Sequence, residues 1–416
     1  MPSSDRRVRT AGLVVLVPTV VALLAACAGT APGSSTTTAK AASTVAPVSK
    51  GVSRVTVDLV SGASGDECRL SHRTAKAGPI TFTVSNTSAT GITEVELVQG
   101  QRIVGEKENL APGLAPVAFT TTLTGGDYAL VCPGAGTDSV PFTVSGTAPE
   151  QRGSDARTLL TAGTKTYGSY VENTLSDMVT AVKTLQTAVD SGDVAAAKAK
   201  YALARPFYEK VESDVAGFVL PGSDPTDNHG NLDYLVDMRA SNLDPAVGWH
   251  GFHAVERDLW QRGRITASTK TLAAELTRNV GQLQTLAKTL TYKPEDLANG
   301  AAGLLEEVQS GKIKGEEELY SHLDLVDFAA NVEGAQQAFA NLQPGLKAID
   351  PALTQQVADR FAAVTKALQQ YQDPKRPGGY EAYTAAVKAK DAASLSRVVQ
   401  SLQEPLSKIA EKVATA

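Results

Sequence analysis

Gly248-Trp249-His250-Gly251-Phe252-His253-Ala254-Val255-Glu256-Arg257-Asp258-Leu259-Trp260 carries two of the five histidines and both tryptophans of a 416-residue chain. His253 and Glu256 stand three apart, so on a helix both side chains leave one face within reach of a common ion. Imidazole plus carboxylate is a borderline-hard ligand pair, suited to iron, manganese or zinc and ill suited to copper(I), which prefers sulfur. The same spacing also arises on helices that bind nothing, and two ligands do not complete a site. His250 lies three residues before His253, but Gly251 and the nearby helix start leave its direction open. Trp249 and Trp260 are read as packing residues.

Outward from this stretch, composition points to helix. Aromatic residues are 5% of the chain while Ala, the strongest helix former, is abundant. The length predicts two or three domains with a sizeable core. A net charge of -5 and a pI near 5.7, with no basic stripe, argue against nucleic acid as a partner.

The first residues read as an export signal. Arg6, Arg7 and Arg9 precede an apolar run at 11–24 that is too short for a stable membrane span. Leu24-Ala25-Ala26-Cys27 follows and resembles a bacterial lipobox, which predicts a signal peptide at 1–27 and a lipidated Cys27. An ordinary secretory signal is the alternative; both export the chain to the periplasm or cell surface, and lipidation would anchor it to the membrane. Residues 28–50 are rich in Ser, Thr, Ala and Pro and read as a flexible tether.

Cys68 and Cys132 remain, an even pair for an oxidising compartment, so a disulfide between them is the default. The alternative is a metal site built from Glu67, Cys68, Glu94, Glu96 and Cys132. Short alternating or apolar runs at 80–84, 95–98 and 117–120, punctuated by Gly and Pro, predict a small β-sandwich over 51–146. The run Asp127-Tyr128-Ala129-Leu130-Val131-Cys132-Pro133-Gly134 resembles the strand that leads into the copper loop of a cupredoxin. Blue-copper sites use two His and one Cys, usually with Met. This domain offers only His72, and neither His nor Met follows Cys132 directly, so a type-one centre is not expected, and copper here stays open.

Residues 147–165 read as a linker, and 166–416 as a helical-bundle domain. Val171, Leu175, Met178, Val179, Val182, Leu185 and Val189 recur at helical spacing. Further helices are expected at 194–204, with a bend at Arg205-Pro206, and at 272–290, 351–371 and 391–414. Glu209 and Glu212 repeat the i, i+3 spacing. His322, Asp324 and Asp327 form a polar cluster in an otherwise apolar pattern, whereas His229 sits in a breaker-rich loop and is left out.

Several of these motifs together carry a resemblance. Gly251 to Glu256, the Gly300-Ala301-Ala302-Gly303-Leu304-Leu305-Glu306-Glu307 run, Tyr320-Ser321-His322 and Asn331-Val332-Glu333-Gly334 resemble the imelysin-like domain of the EfeO-type iron-uptake lipoproteins. Glu106-Lys107-Glu108-Asn109-Leu110-Ala111-Pro112-Gly113 and the two cysteines match the family's cupredoxin-like first domain in the same order. The resemblance implies a non-enzymatic carrier of ferrous or ferric iron, with zinc or manganese as substitutes in vitro. It implies two partners, an inner-membrane iron permease and a haem peroxidase of the dye-decolourising type. It further implies a metal site at His253 and Glu256, completed by carboxylates among Glu209, Glu212, Glu306 and Asp327.

Two other functions compete. Imelysin-like domains have been classed as metallopeptidases, and a metal beside a carboxylate can activate water. The chain, however, has no His-Glu-x-x-His helix and no recognisable Ser or Cys nucleophile motif. Binding of acidic polysaccharide by the bundle is the third reading, weakened by the lack of clustered aromatic and basic residues.

Overall fold

The computed structural model describes residues 45–416 except 101, 138, 149–153 and 225. The expected signal peptide, Cys27 and most of the tether lie outside the described residues. The first half is built of strands: β1 Val48–Ser49, β2 Val52–Gly62, β3 Gly65–Leu70, β4 Thr74–Lys76, β5 Gly78–Asn86, β6 Val95–Gln99, β7 Arg102–Lys107, β8 Val117–Leu123, β9 Gly126–Val131 and β10 Ser139–Ser145. They form two five-stranded sheets, one ordered β1-β2-β5-β8 with β3 beside β2, the other β4-β10-β9-β6-β7.

Strand β2 shows how the sequence makes a sandwich. Val55, Val57 and Leu59 alternate inward and are buried, while Thr56 and Asp58 face out, the period of two that a half-buried strand requires. Phe82 of β5 sits at the centre of the core, stacked on Phe119 at 5.1 Å and meeting Phe142 edge-on at 5.3 Å. A disulfide joins Cys68 on β3 to Cys132 just after β9, tying the two sheets across 64 residues of chain.

Helices make up the second half: α1 Asp155–Ser191, α2 Val194–Glu209, α3 Glu212–Val215, α4 Leu232–Asp237, α5 Gly251–Glu256, α6 Ala267–Ala287, α7 Pro294–Ser310, α8 Asp324–Ile349, α9 Pro351–Gln369, α10 Ala385–Leu406 and α11 Ile409–Ala414. Helix α1 starts at Asp155, sixteen residues before Val171 at the head of its apolar stripe. Ser154 caps it by accepting from the Arg157 N–H, and Leu160 and Thr164 extend the buried face. Gly163 lies where a Cβ would meet the Asn341 carbonyl, so a residue that weakens the helical pattern is there for close packing on α8. The expected last helix is split in two, with Pro405 near the end of α10.

Sandwich and bundle meet along a polar seam within one compact unit from Ser43 to Ala416. Arg54 of β2 grips Glu411 of α11 with two hydrogen bonds, the longer 2.6 Å, and Lys107 pairs with Glu306 at 2.8 Å. Backbone at Thr120 and Thr122 bonds to Asn299 and Glu295 of α7. Among the described residues no helix is long and apolar enough to cross a membrane.

Candidate metal centre

The centre is assembled from α2, α4, α5, the Lys312 turn, the loop before α8, and the first turn of α8. Asn231 caps α4 by accepting from the Asp233 and Tyr234 N–H groups, which sets the helix that ends on Asp237. Gly251 opens α5 with φ +65, and a Cβ there would lie 2.0 Å from the Val236 carbonyl. Only glycine permits that approach, and it brings the His253 helix against Asp237. Helix α5 then widens into a π-helical turn at Arg257–Gln261, a distortion that recurs at functional sites.

His253 is 1% exposed and lies at the meeting point of two sets of carboxylates. Its Nε2 is 3.7 Å from both Asp237 Oδ1 and Glu317 Oε1, and its Nδ1 is 3.1 Å from Glu256 Oε2 and 3.9 Å from Glu318 Oε1. The groups Asp237, His253, Glu317 and His253, Glu256, Glu318 each bring their ligand atoms within 4.8 Å of one another. Glu256 is fixed from behind, because its Oε1 accepts the backbone N–H groups of Tyr320 and Ser321, both at 2.7 Å. Asp324 accepts the Glu318 N–H at 3.2 Å and so holds the acidic loop.

Arg205 of α2 stands beside this group, fully buried. It contacts Asp237 at 2.6 Å, Glu317 at 2.9 Å, Glu318 at 3.2 Å, Asp327 at 3.3 Å, and Glu209 one turn along its own helix. Lys312, also buried, pairs with Glu209 at 3.0 Å and Glu317 at 3.5 Å. Arg239 continues the network outward to Glu307 at 2.6 Å and Glu317 at 3.3 Å.

These charges set the acidities. Burial raises Glu317, but Lys312 and Arg239 outweigh it and hold that carboxyl well below its usual range. Burial pushes Asp237 to about 7 against the pull of Arg205, and burial with repulsion from Glu256 pushes Glu318 to about 8. Burial disfavours a charged His253, yet Glu256 and Glu317 keep the imidazole well above its ordinary value. Among the described residues His253 Nε2 and Asp327 Oδ1 lack a hydrogen-bond partner, while Asp237 Oδ1, both carboxylate oxygens of Glu209 and Asp327 Oδ2 are met only by the charges of Arg205 and Lys312. Buried orphan atoms of this kind are costly unless something occupies them. One nitrogen surrounded by carboxylate oxygens fits a hard or borderline cation.

The expected ligands fall in different places. His253 and Glu256 are at the centre, and Glu209 and Asp327 flank it on the Arg205 side. Glu212 is buried one turn away, its Oε2 without a hydrogen-bond partner among the described residues. Glu306 is not in the cluster: its side chain is 27% exposed and faces Lys107 of the sandwich. One step along a helix turns a side chain by about 100°, so it is Glu307 that faces inward. His322 is exposed in a left-handed backbone conformation with φ 61 and stays outside the centre. Asp237, Glu317, Glu318, Arg205 and Lys312 were not among the expected site residues. The Glu316-Glu317-Glu318 run was a visible signal; Asp237 carried none.

The alternative set in the sandwich separates into two places. Cys68 and Cys132 are spent in the disulfide, and Glu67 is turned to solvent against Arg69 at 2.8 Å. Glu94 and Glu96 instead join Glu106 and Glu108 on the wall that faces the bundle. Burial raises Glu94 to about 8, Glu96 to about 7 and Glu106 to about 8, with mutual repulsion adding to it. A cavity of about 340 Å³ lies along this seam, lined by Glu106, Glu108, Glu212, Asp233 and Glu307 among others.

A β-sandwich ahead of an α-bundle, with a His-x-x-Glu helix buried among carboxylates, defines a class of two-part acidic-core proteins. Residues 163–409 match the imelysin (peptidase M75) family, and the chain belongs to that family. It is 32% identical over 347 residues to the iron uptake system component EfeO of Escherichia coli strain K12, covering 82% of this chain and 88% of that one. It is 35% identical over 254 residues to an Efem/EfeO family lipoprotein of Staphylococcus aureus strain MRSA252, covering 60% of this chain and 84% of the relative. The sandwich is similar to rusticyanin from Thiobacillus ferrooxidans, at 17% identity and a TM-score of 0.21, covering 26% of this chain and 85% of that one.

Proposed function

We propose that this protein is the iron-capturing component of an exported iron uptake system, anchored to the membrane through a lipidated Cys27, and that it passes iron to a membrane permease. The observation that carries the reading is His253 Nε2, buried and, among the described residues, without a hydrogen-bond partner, facing Asp237 and Glu317. Iron is the cargo. His253, Asp237 and Glu317 hold it, with Glu209 and Asp327 closing the acidic shell on the Arg205 side. Glu256 acts on the other ring nitrogen: a carboxylate hydrogen-bonded to Nδ1 fixes the tautomer and aims Nε2, the usual support of a metal-bound histidine. The names of the Escherichia coli and Staphylococcus aureus relatives support an iron-uptake role and an exported lipoprotein. A haem peroxidase of the dye-decolourising type is the second proposed partner.

Peptidase chemistry fits less well. Asp237, His253, Glu256, Glu317 and Glu318 are all buried, which disfavours approach of a peptide carbonyl to a metal among them. The test is titration of the purified full chain with ferrous and ferric iron. One equivalent should bind at the centre. His253→Ala should weaken it by more than ~100-fold and Glu256→Gln by roughly 10- to 100-fold, as the loss of a ligand and of its orienting partner. Unchanged iron binding in a folded His253→Ala chain would remove the centre from the account.

A further inference from the structure

The oxygens best placed to bind a cation beside His253 are already in use. Beyond Glu256 Oε2, which holds Nδ1, the carboxylate oxygens nearest the imidazole are Asp237 Oδ1, Glu317 Oε1 and Glu318 Oε1, and the same three atoms contact Arg205 at 2.6, 2.9 and 3.2 Å. A metal ion bound at ~2.0–2.2 Å from these oxygens would sit close to a guanidinium that cannot lose its charge. In a buried setting two cations at that separation repel strongly. Arg205 has somewhere else to go. Glu209 and Asp327 pair with it but, among the described residues, make no ion pair with His253, and its guanidinium already stands 5.4 Å from the Phe252 ring centroid.

We propose that Arg205 is a tethered competitor for the cargo: it neutralises the carboxylates of the empty centre, and withdraws from Asp237 and Glu317 toward Glu209 and Asp327 when a hard cation binds at His253. The inference rests on reading the centre as a cation site. Its consequence is a carrier whose grip is limited from within. Without a resident cation, several buried carboxylates would be left uncompensated each time the cargo departs, a state that proteins tolerate poorly. With one, release is a swap of one positive charge for another, and both binding and release become accessible.

The experiment uses the full chain with Mn²⁺ as a redox-inert hard probe, in wild type, Arg205→Gln and Arg205→Lys, with folding checked by circular dichroism. Arg205→Gln should bind Mn²⁺ at least ~10-fold more tightly, because a nearby positive charge is gone, and should yield it to a chelator correspondingly more slowly. Arg205→Lys keeps the charge and should stay within a few-fold of wild type. Equal or weaker binding by a folded Arg205→Gln chain overturns the proposal. If that variant does not fold without metal, a crystal structure of Mn²⁺-loaded wild type decides. Arg205 should be out of contact with Asp237 Oδ1 and Glu317 Oε1, and Mn²⁺ seated at His253 with both contacts intact overturns the proposal. No binding of Mn²⁺ or iron by wild type would overturn the cation site itself, a distinct result.

Discussion

In the helical bundle, Glu209, Asp237, Glu317, Glu318 and Asp327 surround Arg205, with Lys312 touching two of them. On the sandwich wall, Glu96 is buried and Glu94 and Glu106 are half-buried, with far less positive charge beside them. Depth separates the two regions only in part; the companions do the rest. Glu317 is fully buried yet held well below its usual range by Lys312 and Arg239, whereas burial and mutual repulsion carry Glu94 and Glu106 to about 8. The centre therefore keeps Glu317 ionised at neutral pH beside the raised Asp237 and Glu318, whereas Glu94, Glu96 and Glu106 on the wall are all raised. A count of carboxylates would rank the two alike, and their counter-ions show which one is prepared for a cation.

The sharpest way to break the comparison is to damage one region and read the other. Replacing Cys68 and Cys132 together by Ser removes a link closing a 64-residue separation. The expected loss is about 4 kcal/mol of stability on the chain-entropy estimate, measured by urea denaturation. Iron binding at His253 should stay within two-fold of wild type at a urea-free, fully folded reference. Binding lost along with the disulfide would mean that the sandwich contributes to the centre.

A smaller effect distinguishes the regions by pH. Glu94 and Glu106 have folded-state values above their unfolded ones, so their contribution is fully present below about 4.5 and is lost as pH rises through about 8. The chain should become less stable between about pH 4.5 and about pH 8 on their account. Glu106→Gln should flatten that decline by on the order of 1 kcal/mol, read as a smaller fall in the thermal midpoint. A decline just as steep in the variant would clear Glu106 of the effect. The centre should behave oppositely. His253, Asp237 and Glu318 all hold protons that a metal must displace, so affinity should rise across the same interval.

Much of this organisation is legible in the residues themselves. The strand runs at 80–84, 95–98 and 117–120 fall within β5, β6 and β8, and the stripe from Val171 to Val189 lies on α1. The His253 and Glu256 pair reads directly from helical spacing. The central strand β2 was not singled out, although its alternation from Val55 to Leu59 was available. Other parts could not be read from one segment. Asp237 reaches His253 only because Gly251 lets two backbones touch, and that contact is tertiary. Arg205 looked like a helix bend before a proline, and its five carboxylate partners come from four separate parts of the chain. Glu306 and Glu307 are adjacent and chemically identical in sequence, and the helix phase gives the one to Lys107 of the sandwich and the other to Arg239 of the buried network.

The most direct measurement is pulsed electron paramagnetic resonance on the full chain loaded with one equivalent of Mn²⁺. A cation held by His253 Nε2 predicts modulation from one directly coordinated imidazole nitrogen, absent in His253→Ala and retained in Glu256→Gln, where the orienting carboxylate is weakened and the ligand nitrogen remains. An all-oxygen signal in wild type, unchanged by removal of His253, would contradict the account at its centre.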